Sequence, residues 1–247
     1  MERQREDKSA IVQERLLLTR VCERNGIILT QQQVSALSAF AERVLSWNSK
    51  INLLSRADSE NIWKSHILHS LAPLFVVDIP KGIRILDLGS GGGFPGIPLS
   101  IVRNDLQITL LDSIRKKSVA LQDMVDGLGL PNVRIKLGRA EEFAASTERF
   151  DIVIARAVAP LIELIKWSRP LLVTRQERTN DATNPDRLKR KVVKLPSLIA
   201  MKGGDLEGEI QTARIKMKGI HIETVNLSFV GSVEAGLEEK KLVIVEF

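Results

Sequence analysis

A glycine-rich turn is the segment of this sequence whose residue types most clearly predict chemistry. Residues 85–96 read ILDLGSGGGFPG, in which a short apolar stretch runs into a turn that contains five glycines. Glycine can adopt positive φ and lets the backbone approach a ligand closely. In doubly wound sheets, ligands lie beyond the carboxyl ends of the strands. We therefore expect this turn to line a small-molecule site of the kind that accepts a nucleotide.

Two classes of cofactor fit the spacing of these glycines. Gly91, Gly93 and Gly96 satisfy G-x-G-x-x-G, the fingerprint of dinucleotide-binding proteins. Asp87, Gly89, Gly91 and Gly93 satisfy D-x-G-x-G-x-G, which resembles the first motif of class I methyltransferases. In those enzymes the turn packs against the methionine and ribose parts of S-adenosylmethionine. The carboxylate of Asp87 favours this second interpretation, because it can bind an ammonium, directly or through a water, but would repel a pyrophosphate.

Two further turns supply candidate residues for the same cofactor. Asp112 and Ser113 end the second predicted strand, where a carboxylate can accept hydrogen bonds from both ribose hydroxyls of a nucleoside cofactor. NAD enzymes use the same carboxylate, so Asp112 does not choose between the two classes. A helix N-cap before Arg115 explains Asp112 equally well. Ala140 and Glu141 follow the third predicted strand, at the turn that typically contacts adenine in methyltransferases. Glu141 could equally be an acid of the first helical turn, favoured by the helix dipole.

The order of strands and helices determines where these residues lie. The predicted strands span residues 83–88, 107–112, 133–137, 150–155, 197–201, 220–227 and 241–246, and the predicted helices among them span 97–102, 116–128 and 160–173. Alternating strands and helices predict a parallel sheet with helices on both faces. The last strands have little helix between them and predict one antiparallel member. The pattern therefore predicts an α/β fold of the class I methyltransferase (Rossmann-like) type, with a seven-stranded, mostly parallel sheet.

The first part of the chain is predicted to be helical. Apolar residues at helical spacing predict helices over residues 11–21, 33–47 and 59–77. Thr30 is the expected N-cap of the second, and Pro73 could bend or end the third. We interpret residues 1–78 as a helical cap. It would pack on an S-adenosylmethionine-binding methyltransferase domain of residues 79–247.

A polar segment at residues 174–196 interrupts the alternation. It lacks periodicity and contains a basic cluster, whose members are Arg187, Lys189, Arg190, Lys191 and Lys194. A solvated insertion is the simpler explanation for a loop of this length. The alternative is a flexible contact to RNA phosphates.

Composition limits the classes of protein to which the chain can belong. The 247 residues carry a formal charge of +6, and basic chains favour polyanions such as RNA or DNA. The single cysteine, Cys22, excludes an internal disulfide and fits a reduced, cytoplasmic location. No apolar run of about 18 residues predicts a membrane span, and the charged N-terminus does not resemble a secretory signal. We expect a cytoplasmic monomer without a metal site.

Five motifs occur here in one order and resemble a known bacterial family. They are GSGGGFPGIPLS at residues 89–100, LLDSIRKK at 110–117, GRAEEF at 138–143, ARAVAPL at 155–161 and MKG at 201–203. Together they resemble the glucose-inhibited division protein B family, whose members methylate nitrogen 7 of a guanine in small-subunit (16S) ribosomal RNA. The resemblance covers roughly residues 30–173 and 197–247.

The resemblance implies roles for matching residues. Gly89 and Phe94 would line the S-adenosylmethionine site, and Ala140 and Glu141 would hold its adenine end. Arg156 would face the cofactor and the incoming base, although a structural ion pair also explains a charged residue at the end of a strand. From their places near the strand ends, four basic residues could hold RNA phosphates, namely His66, Arg115, Lys116 and Lys202.

The implied reaction needs no general base. Nitrogen 7 of guanine carries a free lone pair and no proton, so positioning and pocket electrostatics can supply most of the catalysis. Two other functions fit the turn less well, namely an NAD-dependent oxidoreductase and a non-catalytic RNA-binding module on the same fold. The chain departs from the family's R-H-x-x-D-S motif, because Ser65 and His69 replace the arginine and the aspartate. These departures concern the RNA substrate more than the cofactor.

Overall fold

The N-terminal part of the protein is helical, as the sequence predicts. The structure, a computed structural model, describes residues 2–174 and 190–247, with side chains described from residue 12 onward. Its first elements are α1 (Glu2–Arg24), α2 (Gln31–Asn48), α3 (Arg56–Glu60), a π-helical turn (Trp63–Leu68), α4 (His69–Leu71) and α5 (Pro73–Val76). The helix predicted over residues 59–77 is divided. The interruption at Pro73 is confirmed, because Pro73 begins a new segment, whereas the end of α3 before the π-helical turn was not predicted.

The N-cap of α2 is confirmed, and the same cap attaches this helix to the sheet domain. The Thr30 hydroxyl accepts a hydrogen bond from the Gln33 backbone amide, and the Gln33 side chain accepts one from the Thr30 amide. This reciprocal pair is a capping box. The Gln33 side-chain amide also donates to the carbonyls of Ile101 and Val102, at 3.2 and 3.0 Å.

The central sheet has the predicted mixed architecture. The strands are β1 (Val77–Asp78), β2 (Arg84–Leu88), β3 (Gln107–Asp112), β4 (Val133–Leu137), β5 (Ile152–Arg156), β6 (Lys191–Val192), β7 (Ser197–Gly203), β8 (His221–Asn226) and β9 (Lys240–Glu246). Seven of the described strands form one sheet in the order β4-β3-β2-β5-β7-β9-β8, in which β9 is antiparallel to both neighbours. The prediction of one antiparallel strand is therefore confirmed.

Helices cover both faces of the sheet and pack on it in two apolar clusters. The helices that follow β1 are α6 (Gly96–Val102), α7 (Arg115–Leu128), α8 (Ala140–Phe143), α9 (Leu161–Ser168) and α10 (Glu207–Lys216). Successive side chains of a strand point to opposite faces. Ile85 therefore joins the cluster that also contains Phe40 of α2, whereas Leu86 joins the cluster that contains Leu164 of α9. The N-terminal helices thus share an apolar cluster with the sheet, and the boundary at residue 78 stays a prediction.

Three local features differ from the sequence prediction. Helix α10 was not predicted, because Ala213 is its only buried residue and its apolar periodicity is weak. Helix α9 ends at Ser168, where a 3₁₀ turn containing Pro170 follows, so the predicted helix over residues 160–173 was too long. Within the basic segment, residues 175–189 lie outside the described residues, and Lys191–Val192 forms the short strand β6 parallel to β1. No helix in the described ranges is long and apolar enough to cross a membrane.

Candidate active site

The glycine turn is held in place by the end of the neighbouring strand β3. The amides of Gly89 and Ser90 donate to the Leu111 carbonyl, at 2.8 and 3.1 Å. Gly91 has a φ of 56°, and its amide donates to Asp112 Oδ2 at 2.9 Å. A Cβ built on Gly91 would meet no described protein atom closer than 3.9 Å. Because Gly91 lines the main cavity, its missing side chain leaves room for a ligand.

Asp87 supports the turn from beneath. Its side chain is wholly buried, and Oδ2 accepts a hydrogen bond of 2.8 Å from the Gly96 amide. Burial raises the pKa of Asp87 to about 7, against the opposing effects of the Gly96 hydrogen bond and of Arg156. The second oxygen, Oδ1, has no hydrogen-bond partner among the described residues. Asp87 therefore shapes the turn in this structure, and its contact with a cofactor stays a prediction.

Asp112 connects the glycine turn to the turn that follows β3. Its Oδ2 accepts from Gly91, and its Oδ1 accepts from the Ile114 amide at 2.8 Å. The N-cap position of α7 is Ile114, so the N-cap explanation for Asp112 is wrong. Each carboxylate oxygen can accept more than one hydrogen bond. The predicted contact with ribose hydroxyls is therefore still open to Asp112.

A small cavity of about 200 Å³ lies beyond the ends of β2, β3 and β4. The sequence-predicted cofactor residues that line it are Gly89, Ser113, Ala140 and Glu141. The adjacent Glu142 accepts a hydrogen bond from the Arg139 amide and so caps the first turn of α8. Glu141 also lies in the first turn of α8, so its interpretation as an acid favoured by the helix dipole remains compatible with the structure. The Glu141 side chain is exposed at this cavity.

The main cavity, of about 910 Å³, lies between the π-helical turn, the glycine turn and the ends of β5 and β7. Its basic and imidazole side chains are His66, His69, Lys117, Arg156, Lys202 and Lys240, and its acidic ones are Asp58, Asp205 and Glu209. Gly89 and Val158 line both cavities, so the two adjoin at these residues. A ligand that extends from one cavity into the other would pass this point.

Arg156 is held against an aromatic ring at the wall of the main cavity. One terminal nitrogen donates to the Ser65 carbonyl at 3.2 Å, and the other contacts His66 Nδ1 at 2.5 Å. The guanidinium carbon lies 5.3 Å from the ring centroid of Phe94, which is within the range of a cation–π contact. Burial lowers the pKa of Arg156 to about 10, while Asp87 and Asp58 oppose the decrease. The side chain therefore stays charged at neutral pH.

Two histidines beside this arginine are uncharged at neutral pH. Burial, and secondly the charge of Arg156, lower the pKa of His66 to about 4 and that of His69 to about 3. The sequence predicted an RNA contact for His66, but its side chain is only 12% exposed. A buried neutral imidazole supplies no net charge to attract a phosphate. The RNA contact of His66 stays a prediction that this geometry does not favour.

Lys202 anchors the loop that follows β5. Its ammonium donates to Glu209 Oε1 at 2.9 Å and to the Ala159 carbonyl at 3.2 Å. The same Glu209 oxygen accepts from the Leu161 amide at the start of α9. Lys202 therefore reaches the cavity rim as predicted, but as part of an ion pair. Its predicted phosphate contact is untested.

The other predicted RNA contacts lie at the start of α7. Arg115 and Lys116 are exposed there, and the next residue, Lys117, reaches the main cavity. Lys117 belongs to the same basic run, whose contact with RNA phosphates stays a prediction. Sequence reasoning missed Asp58, for which the sequence carries no signal because its contacts depend on the fold.

Backbone strain is localised directly after Arg156. Ala157 has a φ of 54°, and among the described residues it is the one non-glycine residue with positive φ. Its neighbour Val158 packs so closely on Gly89 that a Cβ there would lie 2.7 Å from a Val158 methyl. Strained backbone of this kind persists where the surrounding structure holds it, often at functional sites.

Replacing Ala157 with glycine is expected to separate stability from activity. The A157G variant should keep its melting temperature or gain a little, because about 1–2 kcal/mol of strain is relieved against the entropy of a new glycine. Methyl transfer should fall severalfold, because Arg156 and Val158 are held less rigidly. Thermal unfolding and kcat measure the two effects. The matched variant A157V should lose stability, and equal melting temperatures for all three proteins would contradict the interpretation.

Acidification is expected to destabilise the protein through His69. Its folded pKa is about 3 against an ordinary value of 6.5, so the unfolded chain binds more protons between these values. Stability therefore falls as pH decreases through this window, by about 2 kcal/mol at pH 5 for this group. The non-titrating variant H69Q should lose less melting temperature than the parent when the pH falls from 7.5 to 5. Equal losses in both proteins would show that His69 is not the titrating group.

A family model and several curated proteins are similar to this chain. The model described as rRNA small subunit methyltransferase G matches residues 33–179. Three proteins carry the name ribosomal RNA small subunit methyltransferase G. The protein from Bacteroides fragilis is 40% identical over 182 residues, which cover 73% of this chain and 80% of that protein. The one from Bacteroides thetaiotaomicron is 37% identical, and the match covers 87% of this chain and 93% of that protein. The one from Chlorobaculum tepidum is 35% identical, and the match covers 92% of this chain and 96% of that protein.

Solved structures share the fold at low sequence identity. The complex of MtNAS with MTA and tNA has a TM-score of 0.52 at 14% identity, and covers 85% of this chain and 70% of that chain. A variant of MtNAS in complex with S-adenosylmethionine has a TM-score of 0.51 at 15% identity, with coverage of 85% and 72%. These likenesses support the α/β architecture.

Proposed function

Because this chain belongs to the rRNA small subunit methyltransferase G family, we propose that it methylates nitrogen 7 of a guanine in small-subunit ribosomal RNA, with S-adenosylmethionine as donor. One observation carries the proposal. The glycine turn presents an open backbone face at Gly91, at the edge of a large cavity that also contains Arg156. This arrangement offers a cofactor and a base adjoining places.

The residues present fit a sulfonium nucleoside better than a dinucleotide. The amides of Gly91 and Gly96 already donate to Asp112 and Asp87, so neither is free to bind a pyrophosphate, and an ionised carboxylate beside them would repel one. Ser113, Ala140 and Glu141 would hold the adenine end in the small cavity, and Gly89 and Phe94 would line the remainder. When bound, S-adenosylmethionine supplies an electrophilic methyl group. The NAD-dependent alternative is therefore less favoured.

The protein's own residues would orient the base. The guanidinium of Arg156 has five N–H groups, and its contacts with Ser65 and His66 leave donors available for the base or its phosphate. The pKa values of about 4 for His66 and about 3 for His69 make both imidazoles weak bases, and the Nδ1 lone pair of His66 is occupied by Arg156. Lys202 is paired with Glu209, so none of the three is arranged to remove a proton. This agrees with the proposed reaction, because nitrogen 7 of guanine carries no proton that must be removed. Positioning and the charge of the pocket would supply the catalysis.

The partner and setting follow from the same proposal. Ribosomal RNA is the substrate that the relatives' name states, and the chain's net charge of +6 suits a polyanion. We also propose that the protein works as a monomer in the cytoplasm. Its one cysteine, Cys22, is a buried free thiol.

The decisive experiment uses labelled S-adenosylmethionine and unmodified small-subunit ribosomal RNA, followed by mapping of the modified base. We expect label on nitrogen 7 of one guanine. S-adenosylmethionine at about 100 times its Kd should also stabilise the protein by about 2.7 kcal/mol, whereas NAD should not. Stabilisation by NAD alone would favour an oxidoreductase. Cofactor binding without transfer to any RNA would favour the non-catalytic RNA-binding module.

A further inference from the structure

We infer that His66 is a positioning residue, whose imidazole accepts a hydrogen bond from Arg156 and fixes the guanidinium against Phe94 at the cavity wall. The inference rests on the proposed function, in which Arg156 meets the base. It assigns His66 a role different from the phosphate contact that the sequence predicted. The direction of the hydrogen bond between Arg156 and His66, and the groups that surround it, support this role.

The direction of the bond follows from the chemistry of its partners. An arginine guanidinium can only donate hydrogen bonds, so His66 Nδ1 must accept at the observed 2.5 Å. A protonated imidazole has no free lone pair and would repel the guanidinium. His66 is therefore neutral here and carries its proton on Nε2.

The opposite side of the His66 ring faces a carboxylate that favours this tautomer. His66 Nε2 lies 3.6 Å from Asp58 Oδ1. The other oxygen, Asp58 Oδ2, accepts a hydrogen bond of 2.6 Å from the Ser55 hydroxyl at the N-cap of α3. A series of contacts therefore runs from α3 to Arg156 at the end of β5. Its ends are hydrogen bonds, whereas the 3.6 Å contact between Asp58 and His66 is too long for one and acts electrostatically.

Aromatic packing fixes the plane of the His66 ring. Its centroid lies 4.9 Å from that of Phe94, which in turn packs against Phe40 at 5.0 Å. The π-helical turn places the Ser65 carbonyl and the His66 ring side by side, and each accepts from one terminal nitrogen of Arg156. Such turns are frequent at functional sites. Both acceptors together select one guanidinium orientation.

This constraint has a consequence for catalysis. A free arginine side chain populates many rotamers, and fixing it carries a large entropic penalty. The two acceptors remove most of that freedom before the RNA binds. His66 should therefore act on the rate of methyl transfer through Arg156, and it should have little influence on the electrostatic attraction of RNA.

The test is a double-mutant cycle between His66 and Arg156. The H66L variant removes the acceptor, whereas H66N keeps an acceptor at the position of Nδ1. We expect H66L to lower kcat at least tenfold and H66N to recover most of the loss. In the R156A background, H66L should have no further effect, because interacting residues are not additive. Fully additive effects would overturn the inference.

RNA binding distinguishes this role from a phosphate contact. Removing one phosphate contact should reduce the slope of log K against log salt by about 0.7–0.9, whereas a positioning role leaves the slope unchanged. A reduced slope in H66L would therefore also overturn the inference. The variant D58N provides a second approach if H66L unfolds, and it should lower kcat by a smaller factor with the same salt slope. An unchanged kcat for D58N would remove Asp58 from the series of contacts.

The failure of this inference can be told apart from failure of the proposed function. If the parent protein methylates no guanine, the proposed function is wrong. The His66–Arg156 coupling can still be measured in that case, from the unfolding free energies of the same four proteins. If the parent is active and the cycle is additive, only the role of His66 is wrong.

Discussion

Replacing Arg156 with alanine is expected to reduce the rate of methyl transfer about 100-fold or more, which is typical for loss of a positioning contact at a reacting centre. The melting temperature should stay close to that of the parent protein. The removed charge is partly desolvated, and water in the cavity can reach the Ser65 carbonyl and His66 Nδ1 in its place. Single-turnover kinetics with saturating S-adenosylmethionine measure the effect on the chemical step.

The variant R156K is the matched control, because it keeps the charge but replaces a planar, two-ended donor with a point charge. A lysine cannot donate to Ser65 and His66 with the same geometry. We therefore expect R156K to remain much slower than the parent. If R156A methylates RNA at the parental rate, Arg156 does not position the base. If R156K alone is fully active, charge and not orientation is the essential property.

The substitution G96A is expected to disrupt the glycine turn. A Cβ at Gly96 would lie 2.4 Å from Leu110 Cδ2 and 2.6 Å from Asp87 Oδ2, distances that real Cβ atoms do not adopt. Both neighbours are fully buried, so neither can move into solvent. Overpacking of this kind typically costs about 1–3 kcal/mol. It would also displace the Gly96 amide from Asp87 and thereby move the turn that faces the cofactor.

Thermal unfolding with and without S-adenosylmethionine measures both consequences of G96A. We expect a decrease of roughly 2–4 °C in melting temperature for each kcal/mol lost, together with loss of the stabilisation by S-adenosylmethionine. The control is G208A, at a position in α10 where an added Cβ meets nothing within 4 Å. That variant should be slightly more stable, by about 0.5–1 kcal/mol, with cofactor binding unchanged. Parental cofactor binding in G96A would show that the close packing at Asp87 is not required.

Local pattern was sufficient for most of the fold. The strands at residues 107–112 and 133–137 were predicted at their observed bounds, because buried strands between turns are continuous apolar or alternating stretches. Helix α10 was missed, because it buries one side chain and therefore has little periodicity to detect. The π-helical turn was also missed, since it depends on how Trp63 and Ile67 pack and not on a local signal.

The candidate cofactor residues could be identified from the sequence because they lie at the same edge of the sheet. Asp87 and Asp112 lie at the carboxyl ends of β2 and β3, and Glu141 follows β4. The carboxyl ends of these parallel strands meet at one edge of the sheet. The order of strands in the sequence is therefore enough to predict that these residues lie close together. The different role of each residue could not be predicted in this way. Burial determines that Asp87 supports the turn, whereas Glu141 is exposed.

From its amino acids alone, the chain specifies a Rossmann-like sheet, a glycine turn and a family resemblance, since each depends on near neighbours along the sequence. The contact of Arg156 with His66 is of another kind, because 90 residues separate the two. Glu209 is only seven residues from Lys202, with which it pairs, but the same carboxylate also accepts from the Leu161 amide, 48 residues away. Side-chain partners, burial and the resulting charge states arise when separate elements pack together, and no spacing along the chain encodes them.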